Sequence, residues 1–370
     1  METQGKIDSA SVKQLAFEMG FHQVGVTSFT GLREAEPALQ EWIQEGRHGT
    51  MKYLADFKKR REQLIEKCPG AKSVIVLAVN YYSTGSKSAR FTGDAYRDEK
   101  PGTFGTGSVI DAVALYAQGR DYHEVIQGKH KVFIGKLRGQ LQIPFQAVSC
   151  VDIQPVPERF AAVRAGLGFI GKHTGLLSRE FGPWLFLSEI VTDLDLVEDS
   201  PAVGDCGSCR KCQVACPTKA LDQDYRIDAR LCLAYLTIEH KGAIPEELRS
   251  KVGNRIFGCD ECLKACPFTS YQKKTSWPEF LPESGVGPRI DFEKLFSLPS
   301  NRAYEKCFAH TALTRTGKKQ MLRNVCIVMG NSGDKAYLPF LEKVGRDESS
   351  LVREHASWAL AQIQTASPTS

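Results

Sequence analysis

The chain has 370 residues, 42% of them hydrophobic and 25% charged, the proportions of an ordinary globular protein of two or three domains. No stretch approaches the ~20 consecutive apolar residues of a membrane span, so no membrane is expected as a partner. The start METQGKIDSA carries neither a secretory signal pattern nor a twin-arginine pair, and the expected location is cytoplasmic, where clustered cysteines point to metal binding or catalysis rather than disulfides.

Taken in chain order, DSASVKQLAFEMG (8–20) has helical spacing behind an Asp/Ser start, and VGVTSF (24–29) reads as a strand. KSVIVLAVNYY (72–82) reads as a second strand, nearly continuously apolar and therefore buried. Residues 91–108, rich in Gly, Thr and Asp, read as a mobile loop. An amphipathic helix follows over DYHEVIQGKHKVFIGKLRGQL (121–141), then a strand over FQAVSCVD (145–152) and a short helix over PERFAAVRAG (157–166). The glycine-rich GLGFIGKHTG (166–175) and the strand WLFLSEIV (184–191) complete an α/β domain assigned to residues 1–199.

Two local motifs in this domain fall short of a cofactor signature. Gly166-x-Gly168-x-x-Gly171 matches G-x-G-x-x-G but follows a helix instead of a strand, and no helix opens from it, so a dinucleotide is not the default reading. Asp121-x-His123 matches the start of the D-x-H-x-x-G cobalt-binding signature, but position 126 is Ile where Gly is needed, so His123 is not assigned as a cobalt ligand. Asp152 ends an apolar run, which puts its carboxyl at the mouth of a strand, where α/β sheets bind ligands. Partial burial there would favour the protonated acid and suit it to donating a proton. The other reading is that Asp152 caps the helix beginning near Pro155.

The cysteines carry a sharper signal. Cys206-x2-Cys209-x2-Cys212-x3-Cys216-Pro217 is the bacterial ferredoxin run, in which three cysteines hold one cubane and the fourth reaches the neighbouring one. Cys259-x2-Cys262-x3-Cys266-Pro267 is one cysteine short of the same pattern, and Cys232 lies between the two runs to fill the gap. Crossed pairing predicts Cys206, Cys209, Cys212 and Cys266 on one [4Fe–4S] cluster and Cys216, Cys232, Cys259 and Cys262 on a second. Structural zinc also takes four thiolates, but its ligands come as separated pairs. Cys68, Cys150, Cys307 and Cys326 sit in apolar or helical contexts and read as small core residues. The two-cluster, ferredoxin-like unit is assigned to residues 200–285.

Beyond it, RNVCIVMGN (323–331) and REHASWALA (353–361) repeat at a spacing of 30 residues with helical apolar periodicity, the mark of a short HEAT-like helical repeat, assigned to residues 286–370. Residues 289–323 contain eight Lys/Arg and three Asp/Glu, a net of +5 that equals the whole chain's formal charge. A patch of that kind suits a phosphate backbone, although many such runs are solvated helix faces. The fold class is therefore a multidomain α+β or α/β protein: α/β domain, two-cluster domain, helical repeat.

Several of these stretches resemble one family. VDIQPVPERFAAVRAGLGFIGKHTG, GRDYH, CGSCRKCQVACPTKAL, LTIEHKGAIP and GNRIFGCDECLKACP are similar, in chain order, to the epoxyqueuosine reductases, cobalamin-dependent iron–sulfur enzymes that finish queuosine in tRNA. The resemblance implies a cobalamin in the α/β domain, two [4Fe–4S] clusters beside it, and a helical domain that helps hold tRNA with a GUN anticodon. It also implies an external electron donor such as flavodoxin or ferredoxin. It makes Asp152 the proton donor and puts Arg61, Tyr116, Gly119, His123, Asp152, Phe169, Lys172, His173 and Leu176 around the corrin. Arg159 and Lys241, together with Lys318, Lys319 and Arg323 of the basic stretch, are the implied tRNA contacts. In relatives the residues before GRDYH often include Ser or Cys and then Arg; here they are Ala114 and Leu115. A reductive-dehalogenase-like enzyme and a non-enzymatic ferredoxin-type carrier are the alternatives.

Overall fold

Every residue of the strand Ser73–Asn80 is buried, and its alternation explains why. Ile75, Leu77 and Val79 point into one core while Val74, Val76 and Ala78 point into another, so no face is left for polar residues. The computed structural model describes residues 6–83, 109–111 and 113–365, and the loop read at 91–108 lies outside them. Elements over the first half are α1 (Ala10–Glu18), β1 (Gln23–Ser28), α2 (Glu36–Gln44), α3 (Lys52–Ala55), α4 (Phe57–Lys67), β2 (Ser73–Asn80) and β3 (Val109–Asp111). They continue with α5 (Tyr122–Leu141), β4 (Ala147–Cys150), α6 (Glu158–Arg164), β5 (Phe169–Ile170), β6 (Leu176–Leu177) and β7 (Leu185–Thr192).

The main sheet has the order β1-β2-β7-β4, and each neighbouring pair is antiparallel. α1 and α5 cover one face, α4 and α6 the other. This corrects the α/β reading toward α+β: the rule that ligands sit beyond the carboxyl ends of parallel strands has no parallel sheet to act on. The helix over 121–141 is α5, with the Asp121 side chain accepting from His123 N at its start. Its buried residues Ile126, His130, Phe133 and Leu137 share one face. His130 lies between Ser149 Oγ (2.7 Å) and Ser188 Oγ (3.0 Å), and burial pushes its pKa down to about 3.

The second half holds α7 (Lys211–Ala215), α8 (Leu233–Ile238), α9 (Glu246–Val252), α10 (Glu261–Lys264), β8 (Arg289–Asp291) and α11 (Phe292–Ser297). It ends with α12 (Asn301–Cys307), α13 (Lys318–Ser332), α14 (Leu338–Val344) and α15 (Ser350–Thr365). The two repeated stretches lie on α13 and α15. One hydrophobic core joins Leu236, Leu248, Val252 and Phe257 to Val325, Met329, Val352 and Ala359. This core spans both sides of position 285. The helices between the two cysteine runs are amphipathic elements whose apolar faces are completed by α13 and α15.

Arg323 is a second correction. It is fully buried, and its guanidinium donates to Leu236 O (2.7 Å), His240 O (2.8 Å), Gly242 O (2.6 Å) and Asn324 Oδ1. It therefore presents nothing to a nucleic acid; its charge is used to satisfy backbone carbonyls.

Candidate functional site

β4 ends at Cys150, and two residues later Asp152 takes φ +56°, a left-handed conformation that Asp tolerates better than most non-glycine residues. The kink turns its carboxylate away from the sheet and toward the start of α5. Oδ2 accepts from Tyr122 Oη at 2.7 Å and from Arg315 Nη1 at 3.1 Å, and His123 Nε2 stands 3.4 Å away. The Asp152 N–H donates to Glu158 Oε1 at 2.7 Å. The cap of α6 is Pro157, so the helix-capping reading of Asp152 is set aside. Arg315, from the 3-10 turn Ala312–Arg315, also donates through Nε to Glu239 at 2.8 Å, and His123 Nδ1 lies 2.8 Å from Asp121.

These contacts set the charges. Burial alone would raise the pKa of Asp152, but His123, Arg315 and Tyr122 outweigh it and hold the carboxyl well below its usual range. This reverses the expectation that partial burial would keep Asp152 protonated. Burial likewise opposes the charge on His123, and its bonds to Asp121 and Asp152 overcome that, lifting it to about 9. Arg159 and His123 act to lower Glu158 but do not outweigh its burial and Asp152, and no cation is among the groups acting on Glu189. Burial, reinforced by neighbouring carboxyls, raises both, and neither oxygen of Glu189 has a partner. The Tyr122 phenol is raised by burial and by Asp152 and stays protonated. Its ring stacks on Phe186 at 4.5 Å and 9°, beside Tyr116 at 6.2 Å.

Of the nine residues expected around a corrin, Tyr116, His123 and Asp152 meet here. The others are placed differently. Arg61 is buried, ion-paired to Glu36 at 2.8 Å and lies over the Phe29 ring. Lys172 is tied to Asp224 (3.0 Å) and Gly207 O (2.7 Å), anchoring the glycine loop to the first cysteine run. A Cβ on Gly119 would come 2.6 Å from Phe280 Cα, so this glycine serves close packing. Phe169 packs with Leu177, Cys206, Cys266 and Phe268, and Leu176 lies in the core under α4 and α6. His173 is buried; burial and Arg159 hold it neutral at about 4, and its Nε2 has no partner. Ala114 and Leu115 face the second cysteine run: Leu115 N donates to Asp260 at 2.7 Å.

The donor atoms available to a cofactor are nevertheless present. Ser83 Oγ, His173 Nε2 and Trp184 Nε1 are buried without partners. Trp184 belongs to an aromatic group with Tyr81, Tyr82 and Phe186 that continues into Tyr122. Trp184, and Ser83 beside Tyr82, thus offer unpartnered buried donors next to flat apolar surface, which fits a large amide-edged macrocycle. The eight cysteines fall into two groups by their electrostatic neighbours. Burial raises Cys266 to about 11 with Cys206, Cys212 and Cys209 acting on it; Cys262 is raised by burial with Cys232, Cys259 and Cys216 as neighbours. Four thiols in each group suit one cubane each. Tyr81 has Asp260, Tyr116 and Cys262 as neighbours, so the second group adjoins the aromatic patch of the Asp152 site.

On the helical side, Lys319 and Lys241 are exposed and line, with Lys318, a cleft of about 380 Å³. Arg159 is exposed and donates to Thr174 O at 3.0 Å. Arg315, Glu239, Tyr122, Glu158 and Glu189 were not singled out from the sequence as site residues: Tyr122, Glu158, Glu189 and Glu239 lie inside stretches read for other reasons, and Arg315 was counted only as part of the basic stretch. Among the described residues no helix is long and apolar enough to cross a membrane.

Comparison with known proteins bears on the same regions. A family model described as Epoxyqueuosine reductase QueG, DUF1730 matches residues 61–153, and a 4Fe-4S double cluster binding domain matches residues 205–269. The chain is 38% identical over 360 residues to the epoxyqueuosine reductase of Xanthomonas campestris pv. campestris, with 96% of each chain covered. It is 37% identical over 353 residues to that of Escherichia coli, covering 95% of this chain and 88% of the other. Among solved structures, epoxyqueuosine reductase with an epoxyqueuosine-modified tRNA-Tyr stem loop superposes with a TM-score of 0.77 at 29% identity, covering 95% and 89% of the two chains. The Bacillus subtilis enzyme, described with its catalytic aspartate loop swung out of the active site, gives 0.79 at 28% identity over the same shares.

Proposed function

The chain belongs to the epoxyqueuosine reductase family of oxidoreductases, and from that premise we propose that it reduces epoxyqueuosine to queuosine at the wobble position of tRNA with Asp152 as proton donor. Opening the epoxide to leave an alkene takes two electrons and two protons and releases the oxygen as water. Two [4Fe–4S] clusters, one on Cys206, Cys209, Cys212 and Cys266 and one on Cys216, Cys232, Cys259 and Cys262, would carry electrons singly from an external donor such as flavodoxin or ferredoxin. Cobalamin, held near Tyr116, His123 and the unpartnered donors Ser83 and Trp184, would supply the nucleophilic two-electron chemistry that clusters lack.

The residues manage the protons. Tyr122 and Arg315 hold Asp152 Oδ2 in place, and His123, charged near neutrality, stands 3.4 Å from it. A proton passed from His123 Nε2 to Asp152 makes the acid that protonates the departing oxygen, and Asp121 steadies His123 through Nδ1. Arg159, Lys241, Lys318 and Lys319 would contact the tRNA, whose binding should weaken with salt. The observation that carries this reading is the convergence of Tyr122, His123 and Arg315 on one carboxylate beside the aromatic patch that borders the second cysteine group.

The test is anaerobic turnover of an epoxyqueuosine-containing stem loop, with nucleosides analysed by mass spectrometry. Asp152→Asn should lose about a hundredfold or more of the rate while iron and cobalamin contents stay those of the parent. Near-normal turnover of that variant would remove Asp152 as the donor.

A further inference from the structure

Arg315 reaches Asp152 from a part of the chain that none of its other partners occupies. Its side chain is 33% exposed and forks between Asp152 at 3.1 Å and Glu239 at 2.8 Å. Its own carbonyl accepts from Lys241 Nζ at 3.2 Å. The next residues, Thr316 to Lys319, run along the wall of the 380 Å³ cleft that also holds Lys241, with Asp347 and Glu348 among its lining. The turn that carries Arg315 thus leads from the carboxylate of the site, which its guanidinium holds, to the wall of a lysine-bearing cleft that begins at the next residue.

We propose that Arg315 is a positioning residue for Asp152 that exchanges partners: it holds the carboxylate when the cleft is empty and turns to a phosphate when RNA backbone fills it. The proposal rests on the proton-donor reading of Asp152 and adds when that donor becomes active. A guanidinium forms bidentate bonds with phosphate as readily as with carboxylate, and Arg315 is exposed enough to meet one. The groups left facing Asp152 are Tyr122 and His123 from α5, Glu158 from α6, Glu189 from β7 and the Tyr116 phenol, with Asp121, Glu239 and Tyr53 one step further out. Of these groups His123 is the cation in contact with Asp152 once Arg315 has turned away, with Arg159 beside Glu158 and Arg60 on the Ile153 carbonyl further out, and it is the source of the proton. The acid form appears only with substrate in place, so an empty site does not carry a reactive proton next to a reduced cofactor.

Linkage makes this testable without chemistry. If RNA must draw Arg315 away from Asp152, then removing the Asp152 charge must strengthen RNA binding by the same factor. The holoenzyme is titrated with an unmodified GUN anticodon stem loop, and fluorescence anisotropy is read at fixed salt. Asp152→Asn should bind about fivefold or more tighter than the parent, whereas the same change in an Arg315→Gln background should bring no gain. Arg315→Lys, which keeps the charge but not the fork, should retain part of the gain. An equal gain with and without Arg315 would reduce the effect to general charge and overturn the proposal, as would no gain in the parent. The two readings fail separately. Full turnover by Asp152→Asn removes the donor role while coupling to Arg315 stands or falls on the binding cycle alone.

Discussion

Tyr122 gives the site a donor that can be removed with little other change. Its hydroxyl lies 2.7 Å from Asp152 Oδ2, and its ring keeps its stack on Phe186 if the oxygen alone is lost. A hydrogen bond to a charged acceptor contributes about 1.5 kcal/mol or more, and loss of one that favours the anion raises the carboxyl pKa by about one unit. Because the proton on Asp152 comes from His123, the alkaline limb of the pH–rate profile belongs to His123, and Tyr122→Phe should change the plateau rate, through the share of the pair's proton that sits on Asp152, while leaving that limb in place. The measurement is single-turnover rate against pH, and an unchanged plateau would separate Tyr122 from the acid. His123 and Asp152 were legible in the sequence because they sit in short quoted stretches. Arg315 was not, since 163 residues separate it from its partner and no periodicity reports such a pair. Arg61 and Lys172 misled for the related reason that Glu36 and Asp224, which draw them in, lie on other elements.

β2 and α13 mark the limits of reading a helix or strand by itself. The apolar run of β2 told correctly that both faces are covered, but antiparallel and parallel neighbours leave the same pattern, so sheet direction stayed hidden. α13 is buried without a break from Met321 to Gly330, and a basic residue in such a helix is there to satisfy acceptors. Arg323→Met would leave the carbonyls of Leu236, His240 and Gly242 unpaired at a cost of about 3 kcal/mol or more. The melting temperature should fall by several degrees, read by differential scanning fluorimetry. Lys319→Ala, at the exposed start of the same helix, should leave the melt in place and lower the salt dependence of RNA binding by about one phosphate contact. If both variants behaved alike, the division of the basic stretch into buried and RNA-facing residues would be wrong.

The whole molecule is tied together by the core that α13 and α15 complete. Cys232 is the N-cap of α8, and Cys232 and Cys259 both pack against that core, so half of the second cysteine group is set by it. Cutting the chain after residue 285 would uncover Leu236, Leu248, Val252 and Phe257. At about 1.5–3 kcal/mol for each large apolar side chain, that is about 6–12 kcal/mol, comparable with the about 5–15 kcal/mol that holds a whole domain together. A fragment of residues 1–285 should therefore keep the sheet and the first cysteine group but not the geometry of the second. After anaerobic reconstitution it should bind about four iron atoms, where the full chain binds about eight. A fragment that took up both clusters and melted cooperatively would show that the cluster-bearing helices need no cover from the C-terminal part. The position of Arg315 gives this unity a functional sense: a group that has to act on Asp152 and face the lysine cleft cannot sit on a loosely tethered domain. The same packing that fixes Cys232 fixes the turn that carries Arg315.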